Sequence, residues 1–284
     1  MPEGVEITIQ TNILNRECKG KTIIGIQWDK KKFKKSGVSE FNLVKLPLEI
    51  KKVWCRGKVI VFEMTNGLYM VSQLGMSGFW STTKGNHSNF WINFGHSTDK
   101  GYIFEKRIYY DDQRRFGHIG FYTDLKKIWS RHGPCLMLAS LIQHGEKLEL
   151  EKDQIVCSLD HYKTQIRNKR LGSDKRIAEF MMEQNRAAGV GNYLRAEILY
   201  DSGISPTRTL ISLSDGDIET LYNSTLRIMW KSYSQKGKYH QGEKCGDSFS
   251  LKVYKQTVDP NGYEVITFPD KNKRMCYYVA EVQN

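Results

Sequence analysis

No two cysteines in this 284-residue chain stand as a Cys-x-x-Cys pair, and the six present, Cys18, Cys55, Cys135, Cys157, Cys245 and Cys276, are scattered. That excludes the dense spacing of a small disulfide scaffold and predicts reduced, structural thiols. Long hydrophobic runs are missing too. The longest, around residues 136–142, is too short to span a bilayer. Glu3, Glu6, Asn12, Asn15 and Glu17 break up the first twenty residues, so no apolar signal-peptide core is present. Neither an internal repeat nor a low-complexity block is found. These absences predict an intracellular, soluble protein that does not span a membrane. What is present is 39% hydrophobic and 12% aromatic residues, enough for a sizeable core in two domains. Lys and Arg number 43 against 31 Asp and Glu, a net +12 that calls for a polyanionic partner, nucleic acid or an anionic membrane surface. Charge alone does not choose between them.

Val5, Ile9 and Ile13 recur at a spacing of four, which predicts a helix over residues 2–19 with Gly20 at its C-terminal cap. From residue 22 to 122 the signal changes to short β-branched and aromatic runs, at 59–62, 69–71, 90–94 and 108–110. Thr65-Asn66-Gly67 marks a hairpin turn, and the whole predicts an antiparallel sandwich or barrel closed by the first helix. The cluster Lys30, Lys31, Lys32, Lys34 and Lys35 reads as a solvated loop tip. Beyond residue 131 the pattern is helical, with candidates at 136–144, 159–170, 175–184, 192–200 and 215–233, the last opened by Ser214 ahead of Asp215 and Asp217. Two strands, at 251–258 and 277–279, are expected to pair through Asp259-Pro260-Asn261-Gly262. The predicted division is 1–130, a β-sandwich domain; 131–236, an α-rich domain; and 237–284, a hairpin region.

Several residues carry candidate chemistry, each with a plainer alternative. Removal of Met1 would expose a secondary amine on Pro2 beside the carboxyl of Glu3. An α-amine titrates at about 7.7–8.0, so imine chemistry is open to it without the burial a lysine needs. Pro and Glu equally suit an ordinary helix start. In residues 184–197, Gly189 and Gly191 allow a tight turn that brings amides to an anion, and Asn192 is expected to cap the next helix and offer its amide to the same phosphate. A simple structural turn is the alternative. Arg56-Gly57-Lys58 places a lysine near a sheet edge, or merely in solvent. Met76, within Gly75-Met76-Ser77-Gly78, and Arg114 and Phe116 offer side chains able to fill the gap left by a flipped base, or to pack on the core.

In this order, these motifs resemble the formamidopyrimidine-DNA glycosylase/endonuclease VIII family over nearly the whole chain: Pro2-Glu3, Arg56-Gly57-Lys58, Leu74-Gly75-Met76-Ser77-Gly78, Arg114-Arg115-Phe116-Gly117 and Gly189-Val190-Gly191-Asn192-Tyr193. The resemblance implies an α+β fold: an N-terminal antiparallel β-sandwich behind a leading helix, then a helix–two-turn–helix domain with a β-hairpin finger and a DNA groove between. It implies that Pro2 is the nucleophile, Glu3 the proton shuttle, and Lys58 and Asn192 a phosphate clamp. Glu6 is a supporting acid, and Met76, Arg114 and Phe116 are the void-filling set, Arg114 facing the orphaned base.

Most of the family carries a four-cysteine zinc finger, whereas residues 253–284 hold only Cys276. A closed zinc site needs about four ligands, so no metal and no cofactor are expected. Arg274 stands where the finger arginine stands. The chain is thus similar to the zincless-finger, Nei-like 1 branch of vertebrates and viruses, where Lys252 matches a basic lesion-contacting position, or is a solvated loop lysine. The expected function is a monomeric, bifunctional DNA glycosylase and abasic-site lyase, in the nucleus or at sites of DNA replication if eukaryotic or viral. It would remove oxidised pyrimidines and ring-opened purines and cleave by β,δ-elimination. Against it stand a DNA-binding protein without turnover and a polyanion-binding protein whose Pro-Glu merely starts a helix.

Overall fold

The computed structural model describes the chain except Met1, residues 30–36, 173, 237–238, 241–242 and 245–248, and the side chains of 239, 240, 243 and 244. The lysine cluster and Cys245 therefore lie outside the described residues. Helix α1 (Gly4–Cys18) leads, and Gly20 follows with φ of 72°, its N–H on the Ile50 carbonyl at 2.7 Å. Then come β1 (Thr22–Trp28), β2 (Val38–Ser39), β3 (Leu48–Arg56), β4 (Val59–Met64), β5 (Tyr69–Gln73), β6 (Phe79–Ser81), β7 (Ser88–Thr98), β8 (Gly101–Asp111) and β9 (His118–Tyr122). They form one sheet in the order β2-β9-β5-β4-β3-β1-β7-β8-β6, antiparallel except where β2 meets β9. Only two residue pairs join β1 to β3, Thr22 with Glu49 and Ile23 with Leu48. At that short link the sheet turns over itself into a two-layer sandwich, with Ile23, Phe90, Phe94 and Tyr110 packed against Ile50, Phe62, Met70 and Phe121.

The helical part comprises α2 (Lys126–Trp129), α3 (Leu136–Gln143), α4 (Leu159–Ile166), α5 (Ile177–Phe180), α6 (Asn192–Ser202) and α7 (Asp215–Ser234). Ser214 caps α7 in a reciprocal pair with Asp217. Two helices are shorter than their periodicity predicts. Asn168 accepts the N–H of Arg170 and starts a separate single turn, which ends α4 early. Around α5, the N–H of Ile177 goes to the Arg208 carbonyl, and the Gln184 carbonyl accepts from Gly133 rather than from its own helix.

Helix α1 is buried on nearly every side because it lies between two cores. Ile7, Leu14 and Cys18 pack on the sheet, whereas Val5 belongs to the helical core with Tyr193, Leu194 and Met229. The last elements are β10 (Tyr239–His240) with β11 (Glu243–Lys244), and β12 (Ile266–Pro269) with β13 (Met275–Tyr278). This corrects the expected terminal hairpin: β13 pairs with 266–269, not with 251–258. The reason is polar. Glu197 of α6 accepts the backbone N–H groups of Lys252, Val253 and Tyr254 at 2.9–3.0 Å, so they are spent before any ladder can use them. The turn at Asp259 closes separately, through the N–H groups of Asn261 and Tyr263 on its carboxylate.

Candidate active site

Glu3 is the N-cap of α1 and is 2% exposed. Its carboxylate reaches across to the start of α6 and accepts the N–H groups of Gly191 at 2.7 Å, Tyr193 at 3.0 Å and Leu194 at 3.2 Å. The N-cap of α6 is thus Gly191, not Asn192. The anion taken by the glycine turn is Glu3 itself, which corrects the expectation of a phosphate there. Three amides at a helix start form a ready anion site. Glycine is required at this spot: a Cβ on Gly191 would stand 2.3 Å from the Glu3 carboxyl carbon. Gly4 likewise seats its N–H on the Gly189 carbonyl at 2.8 Å, with no room for a side chain between them.

Burial pushes the Glu3 carboxyl up to about 7; the Lys58 ammonium opposes this, Glu6 adds to it, and the amides of Tyr193 and Leu194 pull back. Glu6 accepts the N–H of Glu3 at 2.9 Å and the hydroxyl of Tyr193 at 2.8 Å, and that hydroxyl also meets Ser232 at 3.1 Å. Pro2 precedes Glu3 directly and is half-buried at this centre.

Lys58 sits in the turn joining β3 to β4, interior strands, and not at a sheet edge as expected. Gly57, with φ of 59°, makes that turn, and its missing side chain lets it rest on Ala188 beside the α6 turn. Burial depresses the Lys58 pKa; Glu3 opposes the shift, and Arg274 reinforces it. Lys58, Glu3, Glu6 and Arg274 therefore share one electrostatic neighbourhood. Asn192 donates its side-chain N–H to the Met275 carbonyl at 3.1 Å, which places it beside Arg274. The structure brings Pro2, Glu3, Glu6, Lys58, Asn192 and Arg274 together. Lys252 lies elsewhere, packed against the far end of α6 with its ammonium 5.5 Å from the centre of the Tyr200 ring.

Met76, Arg114 and Phe116 form a second group. Phe116 is 61% exposed and Met76 37%, and the Arg114 guanidinium lies 5.3 Å over the Phe116 ring. The device joining their loops, missed from sequence, is Asp112. Its carboxylate accepts Ser77 Oγ at 2.7 Å and the N–H groups of Arg114 and Gly117 at 3.2 and 2.8 Å. The Asp111-Asp112 pair before Arg114 was the available signal. Also missed were Gln184, whose amide spans the glycine turn to Gly189 and Val190, and Arg195 and Asp270, a buried ion pair. A charged side chain at an inward position of α6 was the only hint of Arg195. Among the described residues no three His, Cys, Asp or Glu side chains cluster to hold a metal, and none of the helices is long and apolar enough to cross a membrane.

Fold and site together define a two-domain α+β protein with an acid–amine centre at the domain junction and cationic and apolar side chains around it. Residues 1–119 match the formamidopyrimidine-DNA glycosylase N-terminal domain and residues 157–242 the helix–two-turn–helix domain of the same enzymes. The chain belongs to the formamidopyrimidine-DNA glycosylase/endonuclease VIII family. It is 29% identical to the formamidopyrimidine-DNA glycosylase of Lactiplantibacillus plantarum over 81% of this chain and 77% of that one. It is 24% identical to endonuclease 8 of Pectobacterium carotovorum over 89% and 88%. The MutM (Fpg) protein of Thermus thermophilus shares its fold with a TM-score of 0.77 at 20% identity, over 99% and 98% of the two chains. The Lactococcus lactis Fpg non-covalently bound to DNA containing an AP site does so at 0.75 and 21%, over 99% of each.

Proposed function

We propose that this protein is a DNA glycosylase of base excision repair that also acts as an abasic-site lyase, taking oxidised pyrimidines and ring-opened purines from DNA. The formamidopyrimidine-DNA glycosylase among the relatives named above supports the first activity; the second, and the lesion range, rest on the resemblance and on the chemistry of the centre. The observation that carries the reading is a carboxyl group poised near neutrality, buried beside Pro2 and Lys58.

With Met1 removed, the Pro2 nitrogen attacks C1′ of a flipped nucleotide. Glu3 gives its proton to the sugar ring oxygen as the C1′–O4′ bond opens, the base departs with the glycosidic electrons and takes up the proton released by the Pro2 nitrogen, and an iminium forms between Pro2 and the opened sugar. Proton loss from C2′ then expels the 3′ phosphate, and a second elimination expels the 5′ phosphate, with Glu3 now able to accept and return protons. A general acid–base group works best when its pKa lies near the operating pH, as here. Lys58, Asn192 and Arg274 grip the backbone, while Met76, Arg114 and Phe116 fill the vacated stack. The cation excess serves the same polyanion. The hairpin β12–β13 delivers Arg274 without zinc, held by Asp270 and Arg195.

The test is borohydride trapping on abasic-site duplex. Mature protein is expected to form a covalent adduct, and protein carrying an N-terminal extension none. Absence of the adduct from the mature form would leave a binding protein, and an adduct from the extended form would move the nucleophile away from Pro2.

A further inference from the structure

Arg195 is 1% exposed, one of two buried charged residues on α6 with Glu197, and all but one of its bonds lead toward the hairpin or toward Asn192. Its Nη1 donates to Asp270 Oδ2 at 2.7 Å and to the Ala178 carbonyl at 3.1 Å. Its Nη2 donates to Asn192 Oδ1 at 2.6 Å and to the Met275 carbonyl at 3.1 Å. Stability alone is a poor reason for such a pair, since replacing buried ion pairs by apolar residues is often neutral or favourable. Its geometry suggests a better one. Binding Asn192 Oδ1 fixes which way that amide faces: the oxygen points into the protein at the guanidinium. The NH2 is then turned outward, one N–H on Met275 and the other left to a ligand.

The other end of the pair does the same for the hairpin. Asp270 Oδ1 accepts the N–H groups of Asn272 at 2.8 Å and Arg274 at 2.9 Å, which holds the loop in the shape that gives Lys273 its φ of 59°. One planar guanidinium thus orders two segments about 80 residues apart in the chain.

We propose that Arg195, paired with Asp270, is the positioning residue that sets Asn192 and Arg274 in register as a single phosphate grip. The inference rests on the phosphate roles proposed above for those two residues.

The experiment measures affinity for duplex carrying a tetrahydrofuran abasic analogue, by fluorescence anisotropy across a salt series. Arg195→Lys keeps a buried cation beside Asp270 but loses the fork that reaches Asn192. It is expected to bind about 10- to 50-fold more weakly, with the salt slope reduced by about one to two units as phosphate contacts are lost. Its affinity should fall by more than its single-turnover rate at saturating protein does. In an Asn192→Ala/Arg274→Ala background the same substitution should cost less than about twofold, because it acts through residues already gone.

Wild-type affinity in Arg195→Lys, or a loss carried undiminished into that background, overturns the inference alone. Unchanged binding by Asn192→Ala/Arg274→Ala itself overturns the phosphate reading and the inference together. Should Arg195→Lys fail to fold by circular dichroism, Asp270→Asn takes its place. It puts an amide NH2 against the guanidinium or the loop N–H groups and must show the same pattern of losses; wild-type binding by it counts against the inference.

Discussion

At the scale of single residues, Glu3 reconciles two demands that oppose one another. Three backbone amides favour its ionised form, while burial and the neighbouring Glu6 favour the neutral one, and the balance falls at about 7. This has a thermodynamic signature. The folded protein holds the Glu3 proton from 4.5 up to about 7, whereas the unfolded chain has already released it. Stability from this group is therefore complete below pH 4.5 and is lost as pH rises through 7, by an amount on the order of 3 kcal/mol. Glu3→Gln should remove that dependence. Urea denaturation at pH 5 and pH 8 is expected to show the wild type losing stability relative to the variant across the interval, with trapping abolished in the variant throughout. Parallel pH–stability curves would mean that the carboxyl titrates in its ordinary range.

At the scale of elements, α6 is the beam on which the rest of the site is hung. Its amides hold Glu3, Asn192 and Arg195 hold the hairpin, Glu197 holds residues 252–254, and Tyr200 donates its hydroxyl to Asp259 at 2.8 Å. Burial raises the Glu197 pKa, and the three N–H groups and Lys252 oppose the rise. Glu197→Ala leaves those N–H groups without an acceptor and is expected to cost about 3 kcal/mol or more. Glu197→Gln, which keeps one oxygen for Val253 and Tyr254, should cost about 1 kcal/mol. Urea unfolding measures both, and equal costs would show that the acceptor is not what matters.

Dependence on distant partners also decided what the sequence revealed. The strands of residues 22–122 and helix α7 were legible because their periodicity and caps are local, as with Asn66-Gly67 and Ser214. The glycine turn and Pro2-Glu3 were legible as chemistry. That Glu3 would fill the turn's anion site was not, since the partners lie 188 to 191 residues apart. The terminal hairpin was misplaced for the same reason: alternation over 251–258 is a true local signal, overridden by one carboxylate on α6. Arg195 was invisible because a helical arginine reads as solvated until its partners are known.

At the scale of the whole molecule, the sandwich and the helical part are clasped by the hairpin that carries Lys58. Arg56 donates to the carbonyls of Gly133 at 3.0 Å, Asp153 at 3.0 Å and His132 at 2.8 Å, and its guanidinium lies 5.0 Å from the centre of the Trp129 ring. Gln154 returns a bond to the Cys55 carbonyl at 2.8 Å, and Gly57 donates to Cys135 Sγ at 3.3 Å. The catalysis proposed for the junction needs both halves fixed to within a fraction of an ångström, because Glu3 and Lys58 come from the first and the amides of α6 from the second. Arg56→Met preserves much of the side-chain volume but leaves three carbonyls without their donor, a loss of about 3 kcal/mol. That cost falls on the junction rather than on either core, so the two halves should separate in unfolding before either melts. Thermal unfolding followed by near-ultraviolet dichroism in the tryptophan bands, where Trp28, Trp54, Trp80 and Trp91 report on the sandwich, and by the helical signal at 222 nm is expected to coincide in the wild type and to split in the variant. Trapping yield should fall with the junction, below the temperature at which the helical signal changes. If Arg56→Met instead melts in one step with full trapping up to that step, the clasp is only one contact among many, and the alignment of Lys58 with Glu3 is set by the packing of Gly57 on Ala188 and of Gly4 on Gly189.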